Sequence, residues 1–181
     1  MRYPESSEFV HETVEELKCY SLLPQMKRIA CPKLTKLVMR WDIDGQQPEM
    51  AFPVVECLSL LRLELLGYAH LVSSLPSILA VLPVLESLKI DDCGDGWDDV
   101  VLEHSCIKDL VLRKSKARSL VLIMPRLVHV DIGGTELEVL KVASKEKTVT
   151  VDFSQPSIRF GKWRKVFRGG RTRKVDLSDL M

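Results

Sequence analysis

The stretch Asp91 to Val100, DDCGDGWDDV, places five carboxylates within ten residues, a chemistry that suits a hard cation such as calcium. The calcium-loop template asks for oxygen ligands at positions 1, 3 and 5, glycine at 6 and a bidentate glutamate at 12. Counted from Asp91, Asp95 and Gly96 fit, but Cys93 falls at position 3 and Leu102 at position 12. A thiol and an alkyl chain do not ligate a hard cation, so no metal is expected here. The aspartates read instead as solvated groups in an exposed bend, with glycines that permit positive φ and Trp97 capping an edge or meeting a partner.

Two further constellations invite a chemical reading. His129 stands two residues before Asp131, and His104 precedes Cys106 in the run EHSCI. Neither makes an active site. No nucleophile accompanies His129, and Cys106 leads into an apolar run where thiols are structural. The four histidines, at 11, 70, 104 and 129, show no metal-ligand spacing, and no phosphate-cradling glycine motif occurs. The expectation is a protein without enzymatic activity and without a cofactor.

A third signal lies at the C-terminal end. Residues 159–174 carry eight basic side chains and no acidic one, while residues 1–158 are mildly acidic. Lys162, Arg164, Lys165, Arg168, Arg171, Arg173 and Lys174 alternate with Phe160, Trp163 and Phe167, a mixture that can neutralise phosphates and stack on unpaired bases. As a helix, the three aromatics would share one face, which could equally cap the end of a repeat array. A solvated basic tail is the remaining alternative. Nucleic acid is therefore a possible partner through this segment only, since no basic stripe continues onto the body.

The elements that hold these residues show a period. LESLKIDDC at Leu85 has apolar residues at positions 1, 4 and 6 and Cys at 9, and the frame recurs as LTKLVMRWD at Leu34, LLRLELLGY at Leu60, IKDLVLRKS at Ile107 and LVHVDIGGT at Leu127. Weaker copies start at Val14 and Thr148, so successive starts lie 20 to 26 residues apart. Positions 4 and 6 are two apart and face the same side of a strand. One such strand cannot bury that face alone, but stacked neighbours build a parallel sheet with a continuous core. Leu37, Leu63, Leu88, Leu110 and Val130 should then lie side by side. Residues 70–82, HLVSSLPSILAVL, follow helical spacing with Pro76 in a first turn. The shorter returns 119–124 and 137–142 alternate and read as strands.

This is the pattern of a leucine-rich repeat. Three frames open with Pro two residues before the first Leu, in CPKL at 31–34, LPVL at 82–85 and MPRL at 124–127, with SCI before Ile107. With CIKDLVLRKSKARSLVLIMPRLVHVDIGG at 106–134, residues 10–155 resemble the leucine-rich repeat region of plant F-box proteins. The resemblance implies an α/β leucine-rich-repeat solenoid, a short curved parallel sheet with helical and β-strand returns on its convex side. It also implies a substrate-holding role in a ubiquitin-ligase receptor. The family's adaptor-recruiting F-box has no counterpart in the 13 residues before the first frame, so binding to a ligase adaptor is not expected. The organisation expected is a lead-in at 1–13, about seven repeats at 14–156, and a basic tail or cap at 157–181.

The chain's 46% hydrophobic and 28% charged residues describe a folded domain, and no apolar run is long enough to span a bilayer. Five scattered cysteines and the lack of an apolar leader point to reduced thiols in the cytoplasm or nucleus. The contact surface expected is the outward face of the sheet, with Tyr20, Lys36, Arg40, Arg62, Glu64, Lys89, Asp109, Arg113, His129 and Asp131 meeting a protein partner.

Overall fold

A computed structural model describes residues 8–20, 26–40, 53–67, 74–146, 148–152 and 173–176. Apolar residues that alternate with polar ones form strands β1 (Glu8–Val10), β2 (Glu16–Tyr20), β3 (Arg28–Ala30), β4 (Lys36–Arg40), β5 (Val54–Glu56) and β6 (Arg62–Leu66). After helix α1 (Leu75–Ala80) come β7 (Ser87–Glu103), β8 (Asp109–Ile123), β9 (His129–Asp131), β10 (Glu136–Ala143), β11 (Thr148–Asp152) and β12 (Arg173–Asp176). The chain coils as a mostly parallel β solenoid of about five turns.

The front sheet runs β2, β4, β6, β7, β8, β9, β11 in sequence order, all parallel, and ends on the antiparallel β12. Leu17, Leu37, Leu63, Leu88, Leu110, Val130 and Val151 pair one to the next across it. From Leu37 onward each is at most 2% exposed. A second inward ladder, Cys19, Met39, Leu65, Ile90 and Leu112, runs parallel to the first. The predicted ladder is present in its predicted register.

The backbone repeats a further device that pins this register. Each carbonyl of Glu15, Thr35, Leu61, Glu86 and Lys108 accepts two amides from the next coil, for example Thr35 and Lys36 on Glu15. Before β4, β6, β7 and β9 a tight turn closes, with the amides of Leu34, Leu60, Leu85 and Leu127 donating to the carbonyls of Cys31, Cys57, Leu82 and Met124. These four carbonyl residues are fully buried and stack behind one another as a column. His104 occupies the same column and breaks the pattern: its side chain, not its carbonyl, receives the amides of Cys106 and Ile107 at 3.2 Å each.

The returns are mostly strands. β1, β3 and β5 form a three-stranded parallel back sheet, and β10 pairs with residues 116–123 of β8. Of the stretches expected to be back strands, 137–142 lies within β10 and 119–124 is strand through Ile123, where β8 ends. Helix is confined, among the described residues, to the six of α1, with Pro76 in its first turn as expected. Among the described residues the α/β character foreseen from the sequence thus reduces to this one element, and residues 70–73 of the expected helix lie outside them. Glu8–Val10, placed in the lead-in by the sequence reading, already belongs to the back sheet.

The aspartate-rich stretch does not end a strand. β7 continues through it for 17 residues and stays paired with β8, with register shifts between Asp91 and Gly94 and between Asp95 and Trp97. The two irregularities act as bulges, and each lets a paired strand bend without surrendering its ladder. The exposed bend expected here is instead a bulged corner that joins front to back.

On the back sheet Arg28 bridges Glu8 at 3.4 Å and Glu56 at 2.6 Å. The hydrogen bond from Arg28 holds the Glu56 carboxyl below the usual carboxylate range, as Lys108 at 2.6 Å does for Glu86. A carboxylate lowered on folding adds stability above its unfolded pKa and loses it as pH falls through the folded value. Both pairs are solvated, so the effect on stability is small. In a carboxyl-detected NMR titration, Glu56 and Glu86 should show midpoints below that of a free glutamate. Arg28→Ala should raise the Glu56 midpoint and leave Glu86 unmoved.

Candidate functional site

Alternation along each front strand leaves every second side chain pointing away from the core, and the parallel register aligns these into rows. The first row reads Glu16, Lys36, Arg62, Ser87, Asp109, His129 and Thr150. The second reads Lys18, Val38, Glu64, Lys89, Val111, Asp131 and Asp152 in the same pairing. A third begins Tyr20, Arg40, Leu66, Asp91 and Arg113. All ten residues proposed from the sequence as a contact surface lie on this one face.

They are not equally available. Tyr20, Arg40, Arg62, Asp109 and Arg113 are exposed, whereas Lys36, Glu64, Lys89 and His129 are half-buried. Glu64 sits between Lys36 at 3.6 Å and Lys89 at 3.9 Å, so three coils are tied across their strands. Asp131 is buried beneath the face. Its Oδ2 accepts from Nε and Nη2 of Arg113 at 2.9 and 2.5 Å, and its Oδ1 accepts from the Gly133 amide at 2.8 Å. The hydrogen bond and charge of Asp131 raise the pKa of Arg113 further above its ordinary value. Asp131 therefore acts as a holder for the Arg113 guanidinium and not as a contact itself.

His129 does not pair with Asp131, its neighbour in sequence. Nε2 lies 2.8 Å from Asp152 Oδ2 and Nδ1 lies 4.0 Å from Asp109 Oδ1. The imidazole is thus flanked by carboxylates from the coils on either side. The sequence places Asp152 in the second row but not among the contact residues, because a diagonal partner one coil away leaves no mark in local spacing. Among the described residues no group of three or more His, Cys, Asp or Glu side chains is arranged to hold a metal ion. The His104 nitrogens are both committed, Nδ1 to two backbone amides and Nε2 to the Leu82 carbonyl at 2.9 Å. His104 therefore has a structural role, which the sequence does not assign to it; the reading of EHSCI concerns the Cys106 thiol.

Charge is unevenly spread over the rows. On β2, β4 and β6 they hold the basic Lys18, Lys36, Arg40 and Arg62 against Glu16 and Glu64, and on β8, β9 and β11 the acidic Asp109, Asp152 and the buried Asp131 against Arg113. Of the basic tail, Lys162, Arg164, Lys165, Arg168 and Arg171 lie outside the described residues, as do Phe160, Trp163 and Phe167. Arg173 and Lys174 belong to β12, whose backbone pairs antiparallel with β11 at Val151 and Thr150. Cys19, Cys31, Cys57 and Cys106 are free thiols, and burial raises the pKa of Cys19 and Cys57. No described helix is long and apolar enough to cross a membrane.

Comparison of the chain with protein-family models, with curated proteins and with solved structures finds no match. The class defined by the coordinates is therefore that of a parallel β solenoid with a polar, charge-divided front face.

Proposed function

We propose that this chain is a non-enzymatic leucine-rich-repeat module that binds another protein on its front face. It would act as the substrate-holding repeats of an F-box ubiquitin-ligase receptor do. The observation that carries the reading is the division of charge along one registered sheet surface. A rigid face with a basic excess at one end and an acidic excess at the other favours a partner whose charge runs the opposite way over the reverse orientation. A bare phosphate backbone would meet the acidic half unfavourably. The cross-strand pairs around Glu64 and Asp131 keep the rows ordered before a partner arrives, which lowers the entropy lost on binding.

Tyr20, Arg40 and Arg62 are the exposed aromatic and guanidinium groups on the basic half, the residue types that dominate interface energies. Each change to alanine is expected to weaken binding by about 1–2 kcal/mol, close to tenfold per residue. Quantitative affinity capture from a cell extract, comparing the parent chain with a Tyr20→Ala, Arg40→Ala, Arg62→Ala variant, checks this. Loss of the same set of captured proteins supports the assignment. An unchanged set removes the front face from consideration.

A further inference from the structure

The two ends of the solenoid differ. At the C-terminal end the antiparallel β12 closes the front sheet, and Val149 and Val151 beneath it are 1% and 2% exposed. At the N-terminal end β2 is the last front strand and β1 the last back strand among the described residues. There the inward-facing Leu17 and Cys19 are only half-buried, and Phe9 and Val14 pack beside them partly uncovered. Among the described residues no strand pairs with the outer edges of β1 and β2, and an edge of this kind is a template for another strand.

The occupant can be read from the edge itself. The Glu15 carbonyl points at β4, where it receives the Thr35 and Lys36 amides. Backbone groups alternate in direction along a strand, so Leu17 and Cys19 also address β4. Glu16, Lys18 and Tyr20 then present their N–H and C=O groups to the open side. A strand from a second copy, related by a two-fold axis, must pair antiparallel and match these residues with each other. Centring on Glu16 or on Lys18 sets like charges opposite one another, which is destabilising, and centring on Cys19 sets Lys18 against Tyr20 and forms no opposite-charge pair. Centring on Leu17 instead sets Glu16 of each copy against Lys18 of the other, twice, with the two Leu17 side chains meeting on the core side.

From this edge we infer that the chain forms a two-fold symmetric dimer, β2 against β2, with the Glu16–Lys18 cross-pairs fixing the register. Each copy supplies the other's β2 with a neighbouring strand. The pairing uses the backbone edge of β2, with Glu16 and Lys18 at the margin of the front face; the residues varied for the partner protein, Tyr20, Arg40 and Arg62, are others, so either assignment can fail without the other.

Sedimentation equilibrium of the full chain over a concentration series tests it. The parent chain should show a monomer–dimer equilibrium. Glu16→Lys or Lys18→Glu alone converts both cross-pairs to repulsions and should weaken the dimer at least about tenfold. The double variant Glu16→Lys, Lys18→Glu restores opposite charges and should restore the dimer. An equimolar mixture of the two single variants should form a heterodimer, since one copy then carries lysine at both positions and the other carries glutamate at both. Both positions are exposed, so unchanged circular dichroism is expected for every variant. A monomer at every concentration, a dimer indifferent to both single changes, or a double variant that stays monomeric would each overturn the inference.

Discussion

Leu110→Ala lowers the unfolding free energy by about 3–4 kcal/mol, whereas Leu17→Ala, the same position of the first front strand, costs about 1 kcal/mol. Leu110 is fully buried between Leu88 and Val130 on the neighbouring strands. Truncation there loses the transfer free energy of the removed carbons and leaves a cavity that two flanking coils prevent from collapsing. Among the described residues Leu17 has a paired neighbour on one side only, Leu37, and it is half-buried. Its truncation opens a notch that solvent fills, so only part of the transfer term is lost. Urea unfolding followed by circular dichroism measures both, with a shifted midpoint and an unchanged slope expected for each. The Leu17 variant should be compared with the parent at a concentration where any dimer has dissociated, because association adds stability by mass action. Equal costs at the two positions would mean that the coils do not share one core.

That gradient follows from a feature the sequence shows plainly. An apolar residue at frame positions 1, 4 and 6, repeated every 20 to 26 residues, determines which side chains touch, since each must lie next to its counterpart one coil away. The front rows follow from the same alternation, so the placement of all ten proposed contact residues on one face was legible. What escaped was whatever depends on two coils at once. The continuity of β7 through DDCGDGWDDV rests on β8 supplying partners around the corner, and aspartate and glycine taken by themselves signal a turn. The strand Glu8–Val10 is three residues long and outside any frame. It exists because Arg28–Ala30 offers it an edge. The ion pairs of Arg113 with Asp131 and of His129 with Asp152 run diagonally between rows. Row membership identifies their neighbours but not which diagonal forms.

The chemistry of the turn column supplies the second large effect. His104→Leu is expected to destabilise the chain by about 2–3 kcal/mol, because it leaves buried polar groups unpaired. The imidazole is 7% exposed and makes three contacts with the backbone, two as acceptor at Nδ1 and one as donor from Nε2 to Leu82. Two amides on Nδ1 require that nitrogen to be unprotonated, which places the ring proton on Nε2 and directs it at the Leu82 carbonyl. That carbonyl also receives the Leu85 amide, so His104 links the turn of one coil to the turn of the coil before it. Leucine fills similar space and matches the other apolar members of the column, Leu82 and Met124, but it offers the Cys106 and Ile107 amides no acceptor. Asparagine separates the contributions: its carbonyl oxygen can receive amides two and three residues ahead in an Asx-type turn, yet the shorter side chain cannot reach Leu82. Thermal melts should therefore rank the parent above His104→Asn and His104→Leu lowest. If His104→Leu melts with the parent, the turn has reverted to the carbonyl-closed form of the other coils, and the imidazole contacts contribute nothing net to stability.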